Sequence, residues 1–276
     1  MNINTKIKLN NGTSIPQLGL GTWKCPPNIE TVGIIKEAIL KGYRHFDTAA
    51  VYHNEEYVGK AIRECGIPRE ELFITTKLWN DDTKFPEEAL KESLRKLQLN
   101  YIDLYLIHWP VDDRIKTWEA LEKFYTEGKC KAIGVSNFTV EHLKELMEKT
   151  NIVPAINQVE FNTFLYQKKL LEFCNKNGIA LEAYCPLARA KKFDDKRLIS
   201  IAKKHNKTTA QIMLRWALQH NLIIIPKTMH KERLIENAEI FNFHLDKEDM
   251  DTLNNCNENL RNCWDPTTWK GERKEE

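Results

Sequence analysis

Several residues able to take part in carbonyl reduction lie at the ends of short apolar runs. Asp47 closes RHFD, Lys77 closes ITTK, His108 closes YLIH, and Tyr52 follows Asp47 by five residues. Hydride delivered to a carbonyl carbon leaves alkoxide character on oxygen, which needs a proton donor within hydrogen-bond reach. A free tyrosine, with a pKa of about 10, is a weak acid for neutral pH. A neighbouring ammonium favours the phenolate, so Lys77 is expected to lower the pKa of Tyr52. Burying an unpaired ammonium is unfavourable, so a carboxylate such as Asp47 would keep Lys77 charged and in place. His108 could donate a hydrogen bond to the carbonyl oxygen. The hydride itself must come from a cofactor. Ser136, Asn137, Gln158, Tyr184 and Lys227 also lie at or near the ends of apolar runs.

Placing these groups in one mouth requires a particular set of elements. Runs with strand character begin near Leu18, Tyr43, Leu72, Ile102, Ala132, Pro154, Ala180 and Leu222. They are rich in Ile, Leu, Val and Phe and alternate only partly, as expected of strands covered on both faces. Helical stretches lie between them. Val58, Ala61, Ile62 and Cys65 form a stripe at helical spacing that Gly66 ends. Pro86 opens a helix, and Thr208 with Gln211 makes a capping box. Strands alternating with helices imply parallel pairing by right-handed crossovers, and eight of them match an α/β protein of the (β/α)8 TIM barrel class. Two helical patterns lie between the seventh and eighth strands, so one helix is extra to the barrel. The expected organisation is a single domain over residues 1–276. An N-terminal β-hairpin occupies 1–16 with Asn11-Gly12 at its turn, the barrel 17–240, and a C-terminal helix and substrate loop 241–276.

The composition excludes several classes. Among 276 residues, 41 Lys and Arg stand against 39 Asp and Glu, which leaves no basic footprint for nucleic acid. No apolar run approaches the roughly 18 residues of a membrane span, and MNINTKIKLNNG has no apolar core of a secretory signal. The seven cysteines are irregularly spaced without C-x-x-C, which argues against a disulfide framework or a zinc site. No metal is expected, and the location expected is the cytoplasm. Two motifs mislead. Gly19-Leu-Gly21 begins like a dinucleotide fingerprint but position 24 is Lys, so Gly21 is expected to let a cofactor approach the first strand. Tyr125 and Lys129 have the spacing of a catalytic pair, but Gly128 should end their helix first.

Three segments carry a resemblance over essentially the whole chain: GYRHFDTAAVYHNEEYVG at 42–59, KAIGVSNF at 131–138 and IPKTMHKERLIEN at 225–237. On these the chain resembles the aldo-keto reductase family. The resemblance implies Asp47, Tyr52, Lys77 and His108 as the catalytic tetrad, with Tyr52 as proton donor. It implies that Ser136, Asn137 and Gln158 bind the nicotinamide carboxamide and that Tyr184 stacks on the ring. It assigns Lys227, Thr228, Arg233 and Asn237 to the adenosine-phosphate end and Glu236 to the adenine. Further cofactor contacts are implied at Gly21, Thr22, Trp23, Asp47, Cys185 and Leu187. Lys227 and Arg233 beside a helix start suit a 2′-phosphate, which favours NADPH. Trp23, Trp79 and Trp109, with Tyr52 and His108, resemble the family's substrate walls. Residue 185 is Cys where the family usually has Ser, and a thiol is the weaker hydrogen-bond partner.

Each residue also has an ordinary structural explanation: Asp47 as a turn cap, His108 as a core histidine, Lys77 as a surface lysine, Tyr52 as a packed loop aromatic, the tryptophans as packing. Trp264 and Trp269 either close over the pocket or pack on the barrel. The expected function is NADPH-dependent reduction of aldehydes and ketones, the alternative being a nucleotide-binding regulatory subunit with weak reductase activity. The expected partner is a small carbonyl substrate, with no nucleic acid and no membrane, and the expected state is a monomer.

Overall fold

The computed structural model describes residues 2–269. Its first element is the hairpin, β1 (Lys6–Lys8) paired antiparallel with β2 (Ser14–Pro16). Gly12 sits at φ +87° in the turn, a conformation open to glycine. Eight parallel strands follow: β3 (Leu20–Gly21), β4 (His45–Asp47), β5 (Phe73–Leu78), β6 (Ile102–Ile107), β7 (Cys130–Ser136), β8 (Ile156–Glu160), β9 (Ala180–Tyr184) and β10 (Ile223–Ile224). They pair in sequence order. The sheet closes where Leu18 bridges Ile224 in parallel, with Gly19 N donating to Ile224 O and Ile224 N to Gln17 O, both at 2.9 Å. All eight expected strands are present, and the fold is the barrel anticipated above.

The helices are α1 (Ile29–Leu40), α2 (Glu55–Glu64), α3 (Pro86–Leu97), α4 (Arg114–Thr126), α5 (Val140–Lys149), α6 (Lys168–Lys176), α7 (Lys196–His205), α8 (Thr209–Gln219), α9 (Lys231–Ala238) and α10 (Lys247–Asn254). Local chemistry sets their ends. Thr208 Oγ1 accepts from Gln211 N while Gln211 Oε1 accepts from Thr208 N, closing the capping box of α8. Val58, Ala61 and Ile62 bury the inner face of α2, and Gly66 follows at φ +73°. Gly128, at φ +72°, lies beyond the end of α4, so Lys129 falls off the helical face of Tyr125. Both α7 and α8 fall between β9 and β10, which accounts for the extra helix.

Two apolar regions follow from strand alternation. Outward residues such as Phe46, Ile74, Tyr105, Ile133 and Leu181 pack beneath the helices. A second cluster joins Leu104, Leu106, Ala132, Ile156 and Ile223 to Leu9 and Ile15 of the hairpin segment, which thereby covers one end of the barrel. Between α2 and α3 the backbones nearly touch, since a Cβ at Gly59 would lie 2.1 Å from the Leu97 carbonyl oxygen. Gly59→Ala must push these helices apart and is expected to destabilise the fold by about 1–3 kcal/mol. An unchanged urea-unfolding midpoint would contradict this.

Candidate active site

At the end of the barrel opposite the hairpin, strand ends converge on a cavity of about 620 Å³. Asp47 ends β4, Lys77 lies one residue before the end of β5, His108 follows β6, Ser136 ends β7, Gln158 lies in β8 and Tyr184 ends β9. Tyr52 sits in a single helical turn, Ala50–Tyr52, after β4. Asp47, Tyr52, His108, Ser136, Asn137, Gln158, Tyr184 and Lys227 line the cavity, with Gly21, Trp23, Trp79, Trp109, Cys185 and Leu187.

A buried ion pair forms the floor. Lys77 Nζ donates to Asp47 Oδ1 at 2.7 Å and to the Thr48 carbonyl at 2.8 Å, and both side chains are almost completely buried. Burial pushes the Asp47 carboxyl upward, opposed by the Lys77 ammonium and a hydrogen bond from Gln158. The Lys77 ammonium also lies 5.0 Å from the centre of the Tyr52 ring. Neighbouring residues hold this floor in place. Thr22 Oγ1 donates to the Asp47 carbonyl, Thr48 Oγ1 to Asn54 Oδ1, and Asn54 Nδ2 to the Thr22 carbonyl.

One expectation is corrected here. The Tyr52 phenol is held well above its usual value of 10 rather than lowered, by burial first and then by the Asp47 charge. The Lys77 donors are turned to Asp47 and Thr48, so its charge is largely compensated before it reaches the phenol. Tyr52 therefore remains a phenol, the form from which a proton can be given. His108 packs edge-on against Tyr52 and Trp79, and burial together with the Lys77 charge keeps its imidazole neutral. Its Nδ1 is buried without a hydrogen-bond partner among the described residues.

The opposite wall is a hydrogen-bonded series. Tyr184 OH donates to Asn137 Oδ1 at 2.7 Å, Asn137 Nδ2 donates to the His108 carbonyl and Ser136 Oγ, and Ser136 Oγ donates to the Gln158 carbonyl. Gln158 Nε2 donates across the barrel to Asp47 Oδ2 at 2.8 Å and to Glu182 Oε2 at 2.9 Å. With both of those hydrogens engaged, the Gln158 side chain can meet a ligand only as an acceptor, through Oε1.

Glu182 and His45 complete a polar layer that local sequence patterns do not reveal. His45 Nε2 lies 3.2 Å from Thr75 Oγ1 and 3.5 Å from Glu182 Oε1, with all three residues buried. The signal available was the alternation in HFD and LEAY, which turns His45 and Glu182 inward while Phe46 and Ala183 face the helices. Burial and the nearby Asp47 charge raise the Glu182 carboxyl to about 8, and burial lowers the His45 imidazole to about 3. Between the unfolded carboxyl value near 4.5 and about 8, unfolding releases the Glu182 proton, so stability falls as pH rises through that window. His45 acts oppositely: between 6.5 and about 3 the unfolded chain takes up its proton, and stability falls as pH drops. Glu182→Gln is expected to remove the alkaline loss. A urea midpoint for this variant that falls between about pH 6.5 and 8 as steeply as in the wild type would refute it.

Not every proposed contact reaches the cavity. Thr22, Thr228, Arg233, Glu236 and Asn237 do not line it. The Thr22 hydroxyl is engaged by the Asp47 carbonyl, and Thr228 Oγ1 accepts from His230 N ahead of α9. The Glu236 carboxylate accepts from Thr208 Oγ1 at 2.6 Å, bracing α8 rather than standing open. Lys227 at the rim and Arg233 in the first turn of α9 are exposed, and neither forms an ion pair among the described residues. Gly21 lines the cavity and has a second reason to be glycine. A Cβ there would lie 2.9 Å from the Ile225 carbonyl oxygen, so glycine permits the close approach of the first and last strands.

The tail supplies residues that sequence reasoning left open. Trp264 lines the cavity, and Trp269 stacks on it at 4.4 Å and tilts against Trp109 at 4.6 Å. Cys263, Arg189, Lys24, Val51 and His53 also line the cavity without having been anticipated.

The donor set fits a nicotinamide dinucleotide phosphate. The Gln158 Oε1 acceptor, Asn137 and the Tyr184 ring line one cavity, and the exposed Lys227 and Arg233 flank the start of α9. These residues would hold the carboxamide, the ring and a phosphate respectively.

The model of the aldo/keto reductase family matches residues 17–258. A glyoxal reductase of Bacillus subtilis is 51% identical over 258 residues, covering 92% of this chain and 94% of that protein. A methylglyoxal reductase, DkgA, of Escherichia coli O157:H7 is 44% identical, covering 97% and 98%. Among solved structures, a mutant of Gox0644 in complex with NADPH superposes with a TM-score of 0.91 at 42% identity, covering 96% of this chain and 98% of that one.

Proposed function

We propose, from the premise that this chain belongs to the aldo/keto reductase family, that Tyr52 is the acid that completes its reaction. The chain is an enzyme that reduces carbonyl compounds with NADPH. The bound nucleotide supplies the hydride, and the chain's residues do the rest. Tyr52 and His108 line one cavity with ring centres 5.7 Å apart, and that juxtaposition carries the reading. The neutral His108 orients the carbonyl oxygen, and Tyr52 gives its proton to that oxygen as negative charge develops. Asp47 fixes Lys77 beneath the phenol. Trp23, Trp79, Trp109 and Trp264 wall off water on the substrate side. Ser136, Asn137, Gln158 and Tyr184 orient the nicotinamide, and Lys227 with Arg233 binds the 2′-phosphate.

The substrate class we read is a short 1,2-dicarbonyl. The names of the glyoxal and methylglyoxal reductases at 51% and 44% identity support it, as does an aromatic-lined pocket suited to a small uncharged molecule. Purified protein should consume NADPH with glyoxal or methylglyoxal, with NADH much the poorer donor. No consumption with either, despite nucleotide binding, would overturn the reading. Among the described residues no helix is long and apolar enough to cross a membrane. We read the chain as one domain that works as a cytoplasmic monomer, which light scattering tests through the mass in solution.

A further inference from the structure

We propose that Cys185 and Cys263 are a redox pair whose oxidation to a disulfide ties the C-terminal tail across the mouth of the active-site cavity. Cys185 follows β9 directly, and Cys263 lies 78 positions on in the tail. Both residues are half-buried and line the same cavity, each thiol within electrostatic reach of the other, and Arg189, in the loop that begins at Cys185, reaches the Cys263 sulfur. A disulfide between them, with its bond of about 2.05 Å, would draw the tail onto the loop that follows β9.

Two independent features hold Cys263 there. The carboxylate of Glu160, itself buried at the end of β8, accepts from Asn262 N, Asn262 Nδ2 and Cys263 N at 2.8–3.0 Å. Arg189, four residues beyond Cys185, donates from Nη2 to Cys263 Sγ at 3.4 Å. The tail backbone is thus anchored to one strand end while its thiol faces the loop after the next. The neighbouring Cys185 thiol and then the Arg189 charge pull the Cys263 thiol below its usual value, although burial and Glu160 oppose them. A thiol made more acidic beside a guanidinium, and sharing its cavity with a second thiol, is the arrangement that reacts with peroxides.

The oxidant is a peroxide. The Cys263 sulfur, its proton given up to solvent, attacks one oxygen of hydrogen peroxide, forming an S–O bond, breaking O–O and releasing hydroxide, which takes up the proton that Cys263 gave and leaves as water. The Cys185 sulfur then displaces the hydroxyl from the Cys263 sulfenic acid. The S–S bond forms, the S–O bond breaks, and the Cys185 proton leaves with the hydroxyl as water. The two thiols lose two electrons and the peroxide becomes two waters. Cys25, Cys130, Cys174 and Cys256 are buried, and burial raises their thiols, which leaves them unreactive.

The linked tail holds Trp264 over the cavity. Its effect on nucleotide exchange rests on the reading that NADPH occupies this cavity, whereas the chemistry of the link does not. Full-length protein treated with peroxide and digested without reductant should yield one cross-linked peptide joining positions 185 and 263, absent from Cys185→Ser and Cys263→Ser. Stopped-flow tryptophan quenching should show NADPH release from the linked protein slowed about tenfold or more, with dithiothreitol restoring the original rate. A different cross-link, stepwise overoxidation without a link, or an unchanged release rate in linked protein would overturn the proposal. Reduced protein that fails to bind NADPH would instead refute the cofactor assignment, with the peptide map still deciding the redox pair.

Discussion

Tyr52→Phe is expected to lower kcat for glyoxal or methylglyoxal by about 10²–10⁴-fold, with the dissociation constant for NADPH unchanged. The substitution removes one hydroxyl and keeps the ring. The edge contact with His108 at 5.7 Å and the Lys77 ammonium 5.0 Å from the ring centre therefore persist. What disappears is the phenol that packs against His108 and lies over the Lys77 ammonium, Tyr184 being hydrogen-bonded to Asn137 on the opposite wall. Because burial and the Asp47 charge hold the Tyr52 phenol above its ordinary value, the acid form persists across neutral and alkaline pH. Wild-type reduction should show no decline from Tyr52 ionisation below about pH 10. Steady-state rates and a fluorescence titration check both points, and retained turnover in the phenylalanine variant would remove Tyr52 from the mechanism.

Lys227→Met combined with Arg233→Ala should weaken NADPH binding about 10²-fold and leave NADH nearly unaffected. Both side chains are exposed around the start of α9, and neither is held in an ion pair among the described residues. Their charges are therefore available to a dianionic phosphate that NADH lacks. The first-turn amides of α9 lie between them, so part of the phosphate interaction survives the double substitution. Separate titrations with the two nucleotides measure the difference. Equal losses for both would show that these cations serve the shared pyrophosphate, or only the fold.

Much of the architecture was legible in one dimension because it is decided over a few residues. Capping by Thr208 and Gln211, the stop at Gly66 and the break at Gly128 depend on neighbours within one helical turn. Eight apolar runs separated by amphipathic stretches leave few topologies besides a closed parallel barrel. That architecture in turn puts Asp47, Lys77, His108, Ser136 and Tyr184 at one end, since every strand presents its C-terminus to the same mouth. Residue types at strand ends therefore point to this mouth from the sequence alone.

Contacts between distant residues were decided only by folding. Gln158 bridges Asp47, 111 positions away, to Glu182 on the adjacent strand. No local pattern encodes that bridge, nor the meeting of His45 with Glu182 across the barrel. The direction of the Tyr52 shift reversed for the same reason: proximity to Lys77 could be anticipated, but burial depth and the turning of its ammonium toward Asp47 could not. Gly21 meets Ile225 just beyond the last strand, and Trp264 and Cys263 reach the cavity because Glu160 captures the tail backbone. Periodicity and capping act through the local chain, whereas desolvation, ion-pair geometry and closure of the mouth depend on the three-dimensional surroundings of each group, which only the assembled barrel defines.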